Sequence, residues 1–311
     1  MPMKELKTDT ENTLTIDRRL HARHYSLTLN KQLCTGCEIC KTICPREALT
    51  IKKIPKANGE KAKRPILDID PQKCSYCGMC EPICPFNALQ VKVNGEHTVP
   101  VLKTESFPQL IREITVDTAK CPVECVECEK ACPLNLIKVN LLTKEGKPVE
   151  DAKSIKRKKT LKVEVDVKKD LCPCCRLCEI KCPEGAIHVR KIFHGILSID
   201  LKKCPEDCRD CLDVCPIPGA LYLETSDNKV HPNDAYCVFC GVCRLVCPVE
   251  DALTLERRSI HHTPIKSGAW NKTLEKLTSV NEYSKEAKVK GLMKAHATAE
   301  KRLVLKAEGG A

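Results

Sequence analysis

Cysteine is the residue type with the most evident chemical capacity in this chain, because it occupies 25 of the 311 positions. The first four cysteines form one run, Cys34-Thr-Gly-Cys37-Glu-Ile-Cys40-Lys-Thr-Ile-Cys44, and Pro45 follows it directly. The run recurs five times, so that six runs of four include every cysteine except Cys174. Thiolate sulfur is a soft ligand, so this pattern points to repeated metal binding.

The spacing within the runs is typical of ligands to a cubane iron–sulfur cluster. Four runs follow C-x2-C-x2-C-x3-C-P, while the runs that begin at Cys121 and Cys204 have one extra residue in the first gap. Short gaps let the backbone wrap three corners of one cube, and Gly36, Gly78 and Gly241 would permit the tight turns that this needs. We therefore expect the cysteines of the runs to be iron ligands and no residue to be catalytic.

Structural zinc is the competing interpretation, and Cys174 is the exception to the pattern. Zinc ribbons place two C-x2-C pairs far apart rather than four cysteines in one run closed by proline, which favours iron–sulfur clusters. Cys174, within Cys172-Pro-Cys174-Cys175, is interpreted as a neighbour packed near a cluster, with a substitute-ligand or redox-sensing role as the alternative. Histidines without a partner at metal-ligand spacing are expected at the surface or in turns: His188, His194, His261 and His262.

The runs are expected to work in neighbouring pairs. In two-cluster ferredoxins the fourth cysteine of one run ligates the cluster of the other run. Neighbour pairing is favoured over a nested arrangement because the lengthened gap occurs only in the third and fifth runs, which then hold the same position in their pairs. The expected ligand sets are Cys34, Cys37, Cys40 with Cys84; Cys74, Cys77, Cys80 with Cys44; Cys121, Cys125, Cys128 with Cys182; Cys172, Cys175, Cys178 with Cys132; Cys204, Cys208, Cys211 with Cys247; and Cys237, Cys240, Cys243 with Cys215.

The segments around the first two runs predict a small α+β module. Residues 25–30 alternate as an entering strand should, 49–54 and 65–70 form a hairpin, and 89–93 closes the module as a strand. Residues 46–49 are long enough for one helical turn after the first run. The predicted order is strand, cluster loop, short helix, hairpin, cluster loop, short helix and strand.

Repetition of this layout predicts an α+β fold of three tandem two-cluster [4Fe–4S] ferredoxin-like modules with inserted hairpins, plus a C-terminal helical tail. Between the second and third modules, His194-Gly195 is interpreted as a turn before a strand at 196–200. The predicted domains are an N-terminal extension 1–24 lying on a partner or on the first module, module one 25–94, a linker 95–111, module two 112–190, module three 191–258 and the tail 259–311.

The tail carries apolar residues at roughly helical spacing among many lysines and glutamates. A thin apolar stripe of this kind more often packs on a neighbouring subunit than stands alone, so we expect the tail to dock on a partner subunit. The residues of the stripe are Trp270, Leu274, Leu277, Val280, Ala287, Ala295, Ala299 and Leu303.

Charge and composition argue against several classes of protein. The formal net charge of +11 would be reduced to about −1 by six clusters carrying roughly −2 each, so the basic excess is weak support for a polyanionic partner. The basic run 156–159 is interpreted as a solvated hairpin flank, and aromatic residues for base stacking make up only 3% of the chain. Residues 1–30 contain no apolar signal region and no stretch is long enough to span a membrane, so a cytoplasmic protein without membrane insertion is expected.

The repeated runs resemble those of archaeal polyferredoxins. The sequences Cys121-Pro-Val-Glu-Cys125 and Cys204-Pro-Glu-Asp-Cys208 are similar to runs in the polyferredoxin subunit of formylmethanofuran dehydrogenase. That family usually has four two-cluster modules, where this chain has three. The resemblance covers about residues 25–256 and implies a role in a molybdenum or tungsten complex that reduces CO2 onto methanofuran, or runs in reverse, with catalytic and electron-transfer subunits as partners.

The sequence favours a non-catalytic electron relay with six [4Fe–4S] clusters. Clusters ligated by cysteine at every corner have no open iron site, and the chain has no dinucleotide loop, P-loop or His-Glu-x-x-His helix. The relay of an energy-converting or other hydrogenase complex is the alternative of the same class. An iron–sulfur protein that binds nucleic acid is the more distant one.

Overall fold

The computed structural model describes residues 4–57, 59–143, 147, 149 and 161–279. Within them the strands are β1 (Lys4–Asp9), β2 (Thr13–Arg19), β3 (His24–Asn30), β4 (Leu49–Lys52), β5 (Ile66–Ile69), β6 (Leu89–Val93), β7 (Glu96–His97), β8 (Ile114–Val116), β9 (Ile137–Leu142), β10 (Lys162–Val167), β11 (Ile187–Val189), β12 (Phe193–Ile199), β13 (Leu221–Leu223), β14 (Val230–Pro232) and β15 (Leu253–Ile260). The α-helices are α1 (Ile39–Ile43), α2 (Pro100–Lys103), α3 (Glu127–Ala131), α4 (Leu177–Ile180), α5 (Asp210–Val214), α6 (Val242–Val246) and α7 (Gly268–Thr278).

One pattern of strand pairing recurs around each pair of cysteine runs. A strand before the first run pairs antiparallel with a strand after the second run, as β3 with β6, β8 with β11 and β12 with β15. A hairpin connects the two runs, formed by β4 and β5, by β9 and β10, and by β13 and β14. We call these parts of the chain the first unit (4–97), the second unit (114–189) and the third unit (193–260).

The residues before β3 form two strands on the sheet of the first unit. Strands β1 and β2 extend the sheet in the order β1-β2-β3-β6-β7. Leu14 and Ile16 are buried and lie opposite Leu29 and Leu27 in β3, while the threonines between them are partly exposed. This alternation buries one face of β2 against the first unit, so the segment predicted as an extension contributes two strands that the sequence did not predict.

Five of the short helices, α1 and α3 to α6, lie within cysteine runs and not after them. Helix α1 contains Cys40 and ends at Cys44, and the predicted turn at 46–49 is absent because β4 already begins at Leu49. The chain instead turns sharply at Glu47, whose φ is 50°, and the Ala48 N–H donates to Cys44 Sγ at 3.4 Å. Proline after the fourth cysteine thus introduces a tight turn that aims an amide at sulfur.

The predicted turn at His194-Gly195 was also wrong. Both residues lie inside β12, where the register with β15 shifts between them. A β-bulge of this kind bends a strand without ending it. A Cβ at Gly195 would collide with the backbone of Glu256, which explains why glycine occupies the bulge.

The described part of the tail packs on this chain. In α7, Trp270 is 2% exposed and meets the ring of Phe107 at 5.2 Å and that of His262 at 4.6 Å, both edge-on. Ser267 Oγ donates to Ser106 O at 2.7 Å just before the helix. The predicted stripe residues from Val280 onward, and the basic run 156–159, lie outside the described residues. Among the residues described, no helix combines the length and apolar character needed to cross a bilayer.

Candidate iron–sulfur cluster sites

In the first unit the fourth cysteine of each run lies with the other run. Burial raises the pKa of Cys34, and the neighbouring thiols of Cys37 and Cys84 raise it further. One cavity is lined by Cys34, Cys37, Cys40 and Cys84. Burial likewise raises the pKa of Cys74 to about 11, with contributions from Cys77 and Cys44, and a second cavity is lined by Cys44, Cys74, Cys77 and Cys80, with Cys40 at its edge.

The second and third units repeat this exchange of fourth cysteines. Burial raises the pKa of Cys121, and Cys182 of the partner run raises it further. Burial likewise raises the pKa of Cys175, and Cys132 of the partner run raises it further. In the third unit burial raises the pKa values of Cys204 and Cys237, with Cys247 near the former and Cys215 near the latter. In each of the six expected sets, thiols of both runs thus lie close enough to raise one another's pKa, and we call these sets the thiol groups.

Backbone amides point at many of these sulfur atoms. Within runs, Tyr76 N–H donates to Cys74 Sγ at 3.4 Å and Phe239 N–H to Cys237 Sγ at 3.3 Å. The residue four positions after the fourth cysteine of a run donates its N–H to the sulfur of that cysteine, as from Ala88 N–H to Cys84 Sγ at 3.3 Å. Leu136 and Ala186 make the same bond, each at 3.2 Å. Such donors favour sulfur in its charged form.

The third unit departs from this arrangement. The Sγ atoms of Cys215 and Cys247 lie 3.4 and 3.3 Å from the carbonyl oxygens of Ile217 and Val249. One extra residue separates each of these cysteines from the alanine that begins the next segment, Ala220 or Ala252. This longer spacing between the fourth cysteine and the alanine is the sequence signal that distinguishes the third unit.

The donor set fits a cationic cluster of iron. Close, buried thiols with raised pKa values stay protonated unless a metal converts them to thiolates. A tetrahedral zinc ion with 2.3 Å bonds would need sulfur atoms within roughly 3.8 Å of one another. Within the described ranges, which include all 25 cysteines, no group of three or more His, Cys, Asp or Glu side chains could hold a single metal ion.

Cys174 occupies a position that other residue types fill in other runs. It is 1% exposed, and its φ of 56° matches those of Tyr76 (54°) and Phe239 (49°), which precede the second cysteine of their runs in the same way. Its N–H donates to Cys172 Sγ at 3.4 Å, and its Sγ lies 3.8 Å from Cys172 O. Hydrogen bonding by Cys174 lowers the pKa of the Cys172 thiol to about 7. The side chain therefore packs beside the group rather than within it.

Sequence interpretation missed three buried or partly buried cations, because nothing in their local sequence distinguishes them from surface residues. Arg112 lies between the first two units and donates from Nη2 to Cys84 O at 2.9 Å and from Nε to Cys172 O at 3.0 Å. Lys191 follows the second unit and donates to the carbonyl oxygens of Asp234 and, at 2.9 Å, Cys237.

Arg257, in β15, is the third cation and is partly buried. It donates from Nε to Phe239 O and from Nη2 to Cys240 O, both at 2.8 Å. Burial lowers its pKa, and the nearby Cys37 thiol of the first unit is the largest opposing influence. Burial raises the pKa of Cys240, and Cys37 is the next contributor. Arg257 therefore lies where the first and third units meet.

These contacts divide the six thiol groups into two sets. The groups that contain Cys34, Cys172 and Cys237 lie at the junctions between units, and we call them the inner groups. The groups that contain Cys74, Cys121 and Cys204 are the outer groups. Seven thiols of the inner groups are buried, namely Cys40, Cys84, Cys175, Cys178, Cys237, Cys240 and Cys243, whereas only Cys128 and Cys211 of the outer groups are.

Comparison with known proteins shows similarity to iron–sulfur proteins. Family models described as 4Fe-4S dicluster domains match residues 33–88 and 196–248. A ferredoxin from Methanothermococcus thermolithotrophicus is 34% identical over 61 residues, which is 19% of this chain and 97% of that protein. The aliphatic sulfonate oxidoreductase polyferredoxin-like subunit of Pyrococcus furiosus is 34% identical over 90 residues, 25% of this chain. The match spans half of that subunit's length.

A solved structure resembles most of the chain. One chain of the formate dehydrogenase–heterodisulfide reductase–formylmethanofuran dehydrogenase complex from Methanospirillum hungatei superposes with a TM-score of 0.75 and 32% identity. The similarity covers 88% of this chain and 91% of that one. It therefore includes all three units and not only the two segments that the family models match.

Proposed function

Because this chain belongs to the [4Fe–4S] ferredoxin family and is an archaeal polyferredoxin, we propose that it relays electrons through six [4Fe–4S] clusters in three two-cluster modules. The exchange of fourth cysteines between neighbouring runs, repeated in all three units, is the observation that carries the proposal. It leaves no run self-contained and supplies four thiols at each of six places.

The proposed ligands are the six groups of four thiols described above. A cluster bound in this way exchanges one electron at a time with its neighbours. The thiolates hold all four corners, so no iron site is open to a substrate and the chain acts without catalysing a reaction itself. The amides of Tyr76, Ala88, Leu136, Ala186 and Phe239 would stabilise the negative charge on sulfur.

The junctions between units support one shared pathway instead of three separate ones. Arg112 contacts the carbonyls of Cys84 and Cys172, which belong to inner groups of different units. Cys37 and Cys240, from the first and third units, are close enough to affect each other's charge. The inner groups therefore form a common centre with one outer group on each unit, and partner subunits docked at different outer groups would be connected through it.

The proposed partner is formylmethanofuran dehydrogenase, in the reduction of CO2 or its reverse. The resemblance to a chain of the methanogen complex, at 32% identity over most of both chains, supports this choice. The Pyrococcus relative favours a second candidate, because the printed name of that polyferredoxin-like subunit assigns it to an aliphatic sulfonate oxidoreductase. The second candidate is thus a relay in another oxidoreductase complex, hydrogenases included. In either complex the residues after α7 would contact a partner subunit.

Iron content tests the cluster assignment. We expect protein purified without oxygen to contain about 24 irons per chain and to give the spin-coupled EPR signal of interacting cubanes after reduction by dithionite. The apoprotein reconstituted with zinc alone serves as the control. Stoichiometric zinc in the native protein, or iron near half the expected value, would contradict six clusters.

Purification with partners tests the relay. We expect affinity-tagged chain, isolated without oxygen from its native cells, to bring down a larger oxidoreductase, and the isolated chain to have no activity toward CO2, H2 or formate. Mass spectrometry of the captured subunits distinguishes the two candidate complexes. Turnover of any of these substrates by the isolated, iron-loaded chain would count against a non-catalytic role.

A further inference from the structure

Arg112, Lys191 and Arg257 are cations whose side-chain hydrogen bonds go to backbone carbonyls; Lys191 is buried, and the two arginines are partly buried. Asp170, Asp234 and Glu38 also favour the charged forms of Arg112, Lys191 and Arg257 respectively, but in each case the nearest thiol has the larger effect. Lys191 is 8% exposed and lies 4.9 Å above the ring of Phe239. Arginine keeps its proton at any ordinary pH, so at least two of these side chains are permanently charged.

A buried cation without an anion is unfavourable, so each of these side chains requires a negative group nearby. Carbonyl dipoles compensate only part of a full charge. Thiolates of the inner groups would be a larger source of negative charge than these carboxylates: Cys84 and Cys172, together with Cys174, approach Arg112, Cys237 and Cys175 approach Lys191, and Cys37 and Cys240 approach Arg257. Each cation thus lies between two inner groups of different units.

The cations near the outer groups are different. Arg18 faces Cys74 but donates to Glu5 Oε1 at 2.9 Å from Nη2, which neutralises its charge. Lys229 faces Cys204, but its ammonium group donates to Leu201 O and not to a carbonyl of a cysteine. Arg64 faces the inner-group thiols Cys34 and Cys215, yet it is exposed to water, which screens it. Direct donation from a cation to the carbonyl oxygens of the predicted cysteine ligands is thus a feature of the junctions.

We propose that Arg112, Lys191 and Arg257 raise the reduction potentials of the three inner clusters above those of the outer clusters, so that electrons collect where the units meet. This inference rests on the proposed cluster ligation. Reduction by a low-potential one-electron donor adds one negative charge to a cluster, and a fixed cation in a medium of low dielectric favours that state. Since no proton is needed, the cations change the energy of the electron alone.

This arrangement would give the relay a store of up to three electrons. Each outer cluster would pass electrons inward, and a partner that needs two at once could draw them from the same centre. The role differs from simple attachment of one unit to another, because attachment requires hydrogen bonds but no net charge. A substitution that keeps a donor and removes the charge can therefore separate the two roles.

Arg257→Gln is the variant that tests the inference, with Arg257→Lys as the conservative variant. Arg258→Gln is the matched control, because Arg258 is the next residue, its side chain is 60% exposed and it pairs with Glu256. In a potentiometric titration followed by EPR, we expect three of the six wild-type clusters to be reduced first. In Arg257→Gln, the ratio of reduced to oxidised form for the two clusters that Arg257 contacts should fall at least tenfold at fixed potential, which is ~59 mV.

The conservative variant and the control should keep the wild-type titration. Arg112→Gln should shift the reduction potentials of the clusters that contain Cys84 and Cys172. The cluster of Cys34 should therefore respond to both Arg257→Gln and Arg112→Gln. Fully loaded Arg257→Gln and Arg112→Gln proteins with unchanged potentials would overturn the inference, and the cations would then be structural. If the Arg257→Gln protein loses iron, the same potentiometric titration of Arg112→Gln and of Lys191→Met tests the inference. Arg190→Gln, at an exposed position, is the control for Lys191→Met. Wild-type protein without iron would instead contradict the proposed function.

Discussion

Replacing Cys44 with alanine is expected to remove the cluster of the second run and not that of the first. Cys44 ends the first run, but its thiol lies with those of Cys74 and Cys77. Loss of one ligand in four should release that cluster and lower the iron content from about 24 to about 20 per chain. Iron and acid-labile sulfide, measured on protein purified without oxygen, give the result.

Double variants make this assignment sharper. Cys44→Ala combined with Cys74→Ala should still lose only about four irons, because both ligands belong to one cluster. Cys44→Ala combined with Cys34→Ala should lose about eight. The control is Cys174→Ala, which removes a buried thiol outside the six groups and should keep all of the iron. If each run instead held its own cluster, the losses of the two double variants would be reversed.

The cysteine groups could be predicted from sequence because their ligands are local in the chain. Within one run the spacing fixes three thiols around a common centre, and the lengthened gap in the third and fifth runs identifies which runs are partners. The hairpins were predictable for the same reason, since β4 and β5 alternate apolar and polar residues on either side of a polar loop. The ligand role of each cysteine remains a prediction until iron is counted.

The contacts between units could not be predicted, because they depend on residues far apart in sequence. Arg112 looks like a surface arginine in a linker, and only the docking of Cys84 and Cys172 on either side of it removes it from water. The loop of the first hairpin meets α5 of the third unit in a similar way, through the ion pair of Lys56 with Asp210 and the bond from Ala62 N–H to Asp213 Oδ2 at 3.0 Å. No local periodicity records such neighbours.

Local propensity also failed where tertiary pairing decided the structure. Residues 13–19 contain charged residues and a short apolar alternation, and they become β2 because β3 offers a buried face opposite Leu14 and Ile16. The helical turn predicted after the proline is replaced by a tight turn because the amide of Ala48 bonds to Cys44 Sγ. In both cases an interaction outside the segment outweighs its own preference.

Helix α7 could be predicted as a helix from the sequence, but the surface on which it packs could not be predicted. Trp270, Thr273 and Leu277 are buried at helical spacing, yet the surface against which α7 packs belongs to α1, to the linker after the first unit and to β15. Over residues 268–278, the apolar stripe that suggested docking on a partner subunit thus packs against this same chain. The prediction of partner docking now concerns the residues that follow.

Trp270→Ala is expected to detach α7 from the rest of the protein. The indole is the only tryptophan of the chain, is 2% exposed and packs edge-on against Phe107 at 5.2 Å. Truncation of a buried tryptophan to alanine costs about 3–5 kcal/mol. Since ~1.4 kcal/mol is a factor of ten, amide hydrogen exchange in 268–278 should accelerate roughly a hundredfold or more.

Helix α7 contacts α1, which contains Cys40, so the effect should extend to the first inner cluster. We expect iron to be lost to a chelator faster from Trp270→Ala than from wild-type protein, while the content before chelation stays the same. Asn271→Ala, on the exposed side of the same helix, is the matched control and should change neither rate. If amide hydrogen exchange in α7 is as slow in Trp270→Ala as in the wild-type protein, Ser267, Leu277 and the remaining contacts suffice to hold the helix. The indole would then not be what fixes the start of the tail over the first cysteine run.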